Sequence, residues 1–364
     1  MSNRVFNFSP GPATLPLPVL QRVQEEMGNY EGLGASIFEI SHFSPEFKAI
    51  MYETEALLRE LMEIPPNYRI TFAHGGGVMQ FAMVPLNLAA RLPARRLAYV
   101  DTGHFPRRAM KEAQPHGRID IVASSEDTGY DRIPEFDPSA LDPECSYLHI
   151  TSNNTIEGTQ WRDFPDTGAV PLVVDTTSDL LSRRMDVSRF GILYGGVQKN
   201  LGPAGLAVAI VRDDLLGHAL PSTPKMLNYA QLARDHSLSN TTNTFTLYVV
   251  NRMLHWMKEA GGVAAMEALT ERKAAAVHQA LETHGGFYTL RAQAGHRSLV
   301  NVVFHLPDSG QEARFLAEAQ AQGLYALKGH REMGGIRASL YNGLPLEGAQ
   351  ALASFIDDFA RRAG

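Results

Sequence analysis

Short apolar runs alternate with stretches of helix length from about residue 69 onward. The runs occupy residues 69–73, 97–100, 119–123, 147–151, 170–174, 191–197 and 206–212. A strand that is apolar along its whole length is expected to be covered on both faces of its sheet. Connections long enough to hold a helix favour parallel neighbours. We therefore predict an α/β fold with a large domain built on a mostly parallel, seven-stranded sheet.

The two ends of the chain have different patterns. Four prolines in the first twenty residues indicate an extended arm before a helix near residues 19–29. Helical periodicity covers 244–260 and 263–284. Shorter strand and helix patterns follow at 301–306, 311–322, 325–328, 336–341 and 346–361. We predict an arm (1–20) that packs with a small α+β C-terminal domain (261–364), and a large domain between them (21–260).

Composition and charge narrow the possible partners. Hydrophobic residues make up 44% of the 364 residues and charged residues 20%, as in an ordinary globular protein. The net charge is −6 and arginines cluster only in isolated pairs, so we expect no nucleic-acid partner. No apolar run approaches the ~18 residues of a membrane helix, and the N-terminus lacks a signal-peptide core. The single cysteine, Cys145, excludes an internal disulfide and a multi-cysteine metal site. We predict a cytoplasmic enzyme without a metal site.

Several common ligand-binding signatures are missing from the sequence. It contains no Walker A motif, no Gly-x-Gly-x-x-Gly, no Gly-x-Ser-x-Gly and no His-Glu-x-x-His. Their absence argues against a kinase, a dehydrogenase, a hydrolase and a zinc protease.

A glycine turn is the first positive signal. Gly75, Gly76 and Gly77 come directly after a predicted strand and directly before a predicted helix. Glycines let the backbone approach a ligand, and the free amides of a helix N-terminus favour a phosphate. A plain strand–helix turn would explain the same glycines.

Asp175 and Lys199 are the second and third signals, because each follows a predicted buried strand. Acids at this end of a strand point into the crevice where open α/β sheets bind ligands, although Asp175 would serve equally well as a helix N-cap. A lysine at such a position is usually a surface residue, but in an apolar crevice its neutral amine forms a Schiff base with a carbonyl. Together the three signals point to pyridoxal 5′-phosphate, with its phosphate on the glycine turn, its ring nitrogen on Asp175 and its aldehyde on Lys199.

The chain resembles the phosphoserine aminotransferases, a family of class V aminotransferases with the fold-type-I architecture of pyridoxal-phosphate enzymes. The most specific match is the stretch Gln198-Lys199-Asn200-Leu201-Gly202-Pro203. Matching segments run from end to end of the chain, at residues 7–13, 41–42, 74–77, 155–158, 196–205, 328–331 and 335–342. The resemblance implies a homodimer with shared active sites that moves the amino group of L-glutamate to 3-phosphohydroxypyruvate in a ping-pong reaction, giving O-phospho-L-serine.

The resemblance also implies a role for each matching residue. Lys199 would carry the Schiff base and move the proton, and Asp175 would keep the ring nitrogen protonated. Phe105 would stack on the ring, where the family usually has tryptophan. The other implied cofactor contacts are Gly76, Gly77, Val78, Thr155 and Gln198, with Asn240 and Thr241 reaching the phosphate in the neighbouring subunit. The implied substrate contacts are Ser9, His42, His330 and Arg331, with Arg337 binding the α-carboxylate.

Two departures from the family pattern affect the substrate side. Phe43 stands where the family commonly has an arginine that binds the distal anion, and Val78 stands where some members have a second arginine. One alternative is therefore a paralogue that acts on a different small 2-oxo acid. Two other classes stay open at this point: a lyase on the same fold that uses Cys145, and a non-enzymatic nucleotide-binding α/β protein.

Overall fold

The computed structural model describes residues 4–363. Its α-helices are α1 (Leu17–Glu26), α2 (Pro45–Leu61), α3 (Gly76–Leu88), α4 (His104–Ala113), α5 (Tyr229–Arg234), α6 (Thr244–Glu259), α7 (Gly262–Thr283), α8 (Ser309–Ala321) and α9 (Leu346–Ala363). Its strands are β1 (Phe6–Asn7), β2 (Tyr68–His74), β3 (Arg96–Asp101), β4 (Arg118–Ser124), β5 (Cys145–Thr151), β6 (Asn153–Asn154), β7 (Thr159–Gln160), β8 (Leu172–Asp175), β9 (Ile192–Gly196), β10 (Leu206–Arg212), β11 (Thr289–Leu290), β12 (Asn301–His305), β13 (Leu324–Tyr325) and β14 (Ile336–Ser339).

The main sheet has seven strands in the order β2-β10-β9-β8-β5-β3-β4. Strand β10 is antiparallel to both of its neighbours, and every other pairing is parallel. Each of the seven apolar runs corresponds to one of these strands. The predicted α/β fold is confirmed. The central strands are buried at nearly every position because helices cover both faces.

The C-terminal part has its own apolar cluster. A three-stranded sheet in the order β11-β12-β14 packs with α7, α8 and α9 around Phe304, Phe315 and Phe355. The first turns of α7 join the cluster of the main sheet through Val263 and Met266, whereas its later turns join the C-terminal cluster.

The N-terminal segment packs with the C-terminal part. Strand β1 pairs in parallel with β13, and Phe8 is fully buried in the C-terminal cluster. The division into an arm, a large domain and a small domain stays a prediction, and residues 1–3 and 364 of those ranges lie outside the described residues.

Three local predictions were inaccurate. The first helix begins at Leu17 rather than near residue 19, because Pro18 is accommodated in the first turn of a helix, where its missing N–H has no partner to lose. The strand predicted at 325–328 is only Leu324–Tyr325. Helices α2, α4 and α5 were not predicted at all.

Within residues 4–363, no helix combines the length and apolarity needed to cross a membrane. The same residues hold no group of three or more His, Cys, Asp or Glu side chains arranged to bind a metal ion.

Candidate active site

The carboxyl ends of β2, β5, β8 and β9 lie at one edge of the main sheet because these strands run in the same direction. A cavity opens at this edge. It is lined by Gly77, Val78, Phe81, Phe105, Thr151, Asn153, Thr155, Asp175, Thr177, Ser178, Gln198 and Lys199. Seven of the residues predicted to contact the cofactor therefore line one cavity, and Gly76 adjoins it in the chain.

Lys199 is almost completely buried in this cavity, with 8% of its surface exposed. Its Nζ donates a hydrogen bond to Oγ1 of Thr155 at 2.5 Å and lies 5.4 Å from the centre of the Phe105 ring. Burial lowers the pKa of this amine from 10.5 to about 7, although the carboxylate of Asp175 partly opposes the change. A substantial fraction of Lys199 is therefore neutral near pH 7, which is the form that attacks a carbonyl or accepts a proton.

Asp175 ends strand β8 and is 4% exposed. Its Oδ1 accepts hydrogen bonds from the backbone N and from Oγ1 of Thr177, at 2.9 and 2.6 Å. The residue therefore caps the following turn, whereas the N-cap alternative expected a helix there, and its carboxyl group lines the cavity. Burial raises its pKa from 3.8 to about 6, and the hydrogen bonds from Thr177 limit the rise, so the group is mostly ionised at pH 7.

The glycine turn fits closely against the strand that leads to Lys199. Gly75 and Gly76 have φ values of 92° and 68°, which side chains rarely adopt, and α3 begins without a side-chain cap. A Cβ on Gly196 would overlap the Gln198 side chain and would lie 2.8 Å from the backbone N of Gly77. The amides that begin α3 are therefore free of side-chain partners and border the cavity, as a phosphate site requires.

The cavity contains an unsatisfied polar group that a ligand would explain. Oε1 of Gln198 is buried and has no hydrogen-bond partner among residues 4–363. Buried polar atoms are nearly always paired, so this unpaired acceptor beside the glycine turn indicates that a hydrogen-bond donor completes the site. The buried amine, the buried carboxylate and the free helix amides match the aldehyde, ring nitrogen and phosphate of pyridoxal phosphate.

The residues predicted to bind substrate are not among those that line this cavity. Arg337 is on β14, is 7% exposed and has an Nε without a partner among residues 4–363, and burial lowers its pKa. His42 is also buried, and its ring centre lies 3.9 Å from that of Phe43, which is 60% exposed. Ser9 is half-buried, and its Oγ accepts a hydrogen bond from the N of Gly11 at 3.4 Å.

The remaining predicted contacts are more exposed. The ring of His330 lies 5.3 Å from that of His104, and the side chain of Arg331 is 88% exposed. Neither Asn240 nor Thr241 lines the cavity of its own chain. The carbonyl of Thr241 instead lies 3.2 Å from Nε2 of His74.

Comparison with known proteins decides the family. The family described as Aminotransferase class-V matches residues 5–352. A phosphoserine aminotransferase of Geobacillus kaustophilus is 46% identical over 359 residues, covering 99% of both chains, and one of Acidithiobacillus ferrooxidans is 45% identical over the full length of both. The structure of phosphoserine aminotransferase from Bacillus circulans subsp. alkalophilus superimposes with a TM-score of 0.96, at 41% identity and full coverage of both chains. The chain belongs to the phosphoserine aminotransferase family.

Membership of this family settles the class of chemistry. The chain is a pyridoxal-phosphate-dependent aminotransferase, which confirms the cofactor predicted from Lys199, Asp175 and the glycine turn and the reaction class that the resemblance implied. The relatives do not favour the alternative of a paralogue with a different acceptor. Nor do they support a non-enzymatic protein or a lyase, and Cys145 is buried at the first residue of β5, away from the carboxyl edge that carries the cavity.

A buried polar network beside the cavity was missed by the sequence analysis. Nδ2 of Asn153 donates to Oγ of Ser178 and to Oδ1 of Asn301, both at 2.8 Å. Nδ2 of Asn301 donates to the hydroxyl of Tyr341 at 3.1 Å, and that hydroxyl donates to the carbonyl of Pro10. The network joins the edge of the main sheet to β12. Its only sequence signal is an asparagine that begins the otherwise apolar run Val302-Val303-Phe304.

Proposed function

We propose that this enzyme transfers the amino group of L-glutamate to 3-phosphohydroxypyruvate, giving 2-oxoglutarate and O-phospho-L-serine. The observation that carries the proposal is the cavity in which a buried lysine of lowered pKa and a buried aspartate share one edge of the sheet with a glycine turn. The names of the relatives support the choice of acceptor. The two half-reactions would use the same site in turn, and the product would feed serine biosynthesis.

The cavity residues would hold the cofactor at three points. Lys199 would bind its aldehyde and Asp175 its ring nitrogen, because an ionised carboxylate favours a protonated pyridine. The first amides of α3 at Gly76, Gly77 and Val78, with the Gln198 side chain, would bind its phosphate. Phe105 would cover one face of the ring, and Thr155 would bind its ring oxygen. When bound, pyridoxal phosphate supplies an electron sink for the electron pair left by the Cα proton.

Lys199 would also be the acid–base group. An amine with a pKa of about 7 accepts the proton from Cα and returns it without a large free-energy difference at neutral pH. Thr155 accepts a hydrogen bond from Nζ of Lys199. It would orient this amine while the substrate, and not Lys199, is attached to the cofactor. Burial of both Lys199 and Asp175 excludes bulk water from the proton transfer.

The substrate would be bound at both of its ends. Arg337 would form a bidentate pair with the α-carboxylate, since its buried guanidinium has an unpaired Nε. Ser9, His42, His330 and Arg331 would face the distal group. Phe43 and Val78 leave this end of the site with less positive charge than the family pattern supplies.

We further infer a homodimer with shared active sites, located in the cytoplasm. Asn240 and Thr241 lie outside the cavity of their own chain, which agrees with a contact to the partner's cofactor phosphate. Phe38, Phe43 and Val78 are large apolar side chains that stay exposed in the single chain, as interface residues would. A lone buried cysteine agrees with a reducing compartment.

The cofactor assignment is tested by chemical trapping. Borohydride reduction of the yellow holoenzyme should fix the cofactor to the peptide containing Lys199, and Lys199→Ala should abolish both the fixation and turnover. Lys225→Ala, at an exposed lysine, is the matched control and should behave as the native protein. An unmodified Lys199 peptide from folded, active enzyme would overturn the assignment.

The acceptor is tested by comparing two oxo acids that differ only in the phosphate. With L-glutamate as donor, kcat/KM for 3-phosphohydroxypyruvate should exceed that for hydroxypyruvate by roughly tenfold or more, since a charge-assisted hydrogen bond contributes ~1.5–3 kcal/mol. Equal values for the two acids would overturn the proposed acceptor while leaving the cofactor assignment intact.

A further inference from the structure

His104 is held in a fixed position at the start of α4. Its backbone N donates a hydrogen bond to Oε1 of Glu157 at 2.8 Å, and Glu157 is only 2% exposed. The approach depends on Gly103, whose φ is 132° and on which a Cβ would overlap the Glu157 carboxylate. This buried contact therefore fixes the backbone of His104 at the start of α4.

The imidazole of His104 faces the segment that carries the predicted distal-group residues. Its ring centre lies 5.3 Å from that of His330, and its Nδ1 lies 3.5 Å from Oε2 of Glu332. The neighbouring residue, Phe105, lies 5.4 Å from Nζ of Lys199. His104 thus stands between the cofactor side of the site and the segment containing His330.

Among the predicted distal-group residues Ser9, His42, His330 and Arg331, only Arg331 offers a guanidinium to a phosphate. Phe43 and Val78 carry no charge, and Arg331 has a largely exposed side chain with a carboxylate oxygen of Glu332 at 4.0 Å. A phosphate dianion is bound most strongly by several charged or N–H donors acting together. Two imidazoles with ring centres 5.3 Å apart are close enough to donate to one phosphate group.

We propose that His104 is a further specificity-determining residue, which together with His330 binds the phosphate of the acceptor. This inference rests on the proposed function, because it requires a phosphorylated oxo acid. In the free enzyme Oε2 of Glu332 lies 3.5 Å from Nδ1 of His104, and the phosphate would displace this exposed carboxylate. The site therefore selects the phosphorylated acid with the imidazole of His104. The family pattern uses arginines for this purpose, at the positions that Phe43 and Val78 occupy here.

The charges around His104 agree with an anion site that Glu332 occupies in the free enzyme. The side chains facing it are His330 and Glu332, and Glu157 contacts only its backbone. Burial and the neighbouring His104 both lower the pKa of His330, with Arg337 and Arg331 acting in the same direction and Glu332 opposing them. An entering phosphate opposes this effect at His330, since a nearby anion favours the protonated, donating form of its imidazole.

His104→Asn tests the proposal while keeping the contact that fixes the helix start, because the backbone N of residue 104 makes that contact. The KM for 3-phosphohydroxypyruvate should rise roughly tenfold or more, and kinetic constants for hydroxypyruvate should stay unchanged. Inhibition by inorganic phosphate should weaken to a similar extent. His116→Asn is the matched control, because His116 follows the opposite end of the same helix, about 15 Å away along its axis.

A second variant keeps the proposal testable if His104→Asn folds poorly. Glu332→Gln removes the competing carboxylate and should lower the KM for the phosphorylated acid and tighten inhibition by phosphate. Equal losses for both acids in His104→Asn, or no change in KM for the phosphorylated acid in either variant, would overturn the role of His104. If the native enzyme itself does not discriminate between the two acids, the proposed acceptor fails instead.

Discussion

Replacing Lys273 by methionine tests how strongly a buried charge is coupled to the fold. Lys273 lies on α7 and is fully buried. Its Nζ donates to the carbonyl oxygens of Tyr341 and Leu344, at 2.7 and 3.2 Å, and no carboxylate among residues 4–363 pairs with it. Burial lowers the pKa of the amine from 10.5 to about 7.

The size of the effect follows from that pKa. Each tenfold change in an ionisation constant corresponds to ~1.4 kcal/mol. A fall of the Lys273 pKa from 10.5 to about 7 therefore lowers the free energy of unfolding by roughly 5 kcal/mol at a pH where the amine is charged in both the folded and the unfolded chain. The unfolded chain keeps the proton up to pH 10.5, whereas the folded chain releases it above about pH 7. The unfolded state therefore binds more protons in this window, and the folded state gains stability as pH rises.

The assay is urea unfolding of the native holoenzyme and of Lys273→Met at equal protein concentration and a series of pH values. Between pH 7 and 9 the free energy of unfolding of the native protein, relative to the variant, should increase by about 2 kcal/mol. All other titrating groups cancel in this difference. At pH 7 the free energies of unfolding of the two proteins should differ by less than the full cost of the buried charge. Methionine removes that charge but leaves two carbonyl oxygens unpaired, at ~1–3 kcal/mol each. A difference that stays constant from pH 7 to 9 would refute the reasoning.

Three further substitutions give outcomes that can be checked directly. Asp175→Asn should lower kcat by roughly 100-fold with the cofactor still bound, measured by turnover and visible absorbance; full activity would contradict the role of the carboxylate. Phe43→Arg should lower the KM for the phosphorylated acceptor by roughly tenfold, and an unchanged KM would mean that position 43 does not face the distal anion. Gly103→Ala should destabilise the fold by ~1–3 kcal/mol in urea unfolding because it collides with Glu157, whereas Gly286→Ala, with nothing near its Cβ position, should change it by under ~0.5 kcal/mol.

The main sheet could be predicted from the sequence because its strands are buried on both faces. Leu206–Arg212 has the bounds that its apolar run predicted, and the other six strands differ by a few residues. Helix α4 was missed for the opposite reason: half of its residues, His-Phe-Pro-Arg-Arg-Ala-Met-Lys-Glu-Ala, are polar or charged, and it carries a proline in its first turn. Such a helix depends on packing of one narrow apolar face, which periodicity in a short segment does not reveal.

The chemistry at the strand ends could be predicted, whereas contacts between distant segments could not. Asp175 and Lys199 follow strands that are neighbours in the sheet, so their proximity follows from the parallel topology. The contact of His104 with His330 joins residues 226 positions apart, and no periodicity or motif links them. The role of Glu157 could not be predicted either, because a carboxylate is usually exposed. Its buried contact with the N of His104 requires a glycine, Gly103, from a distant part of the sequence.

The placement of Arg337 relative to Lys199 depends on directional hydrogen bonds between two separate apolar clusters. Apolar packing within each cluster does not fix their relative orientation, since the hydrophobic effect has no preferred direction. The segment after β14 supplies the direction: the N of Asn342 donates to Oδ1 of Asn200, next to Lys199, at 3.1 Å, and Nδ2 of Asn342 donates to the carbonyl of Leu181. Lys273 holds the carbonyl of Tyr341, one residue earlier. Lys273 on α7 therefore supports the segment that positions the guanidinium of Arg337 relative to the amine of Lys199. Weakening the hydrogen bonds of Lys273 should raise the KM of every carboxylate substrate before it lowers the affinity for the cofactor.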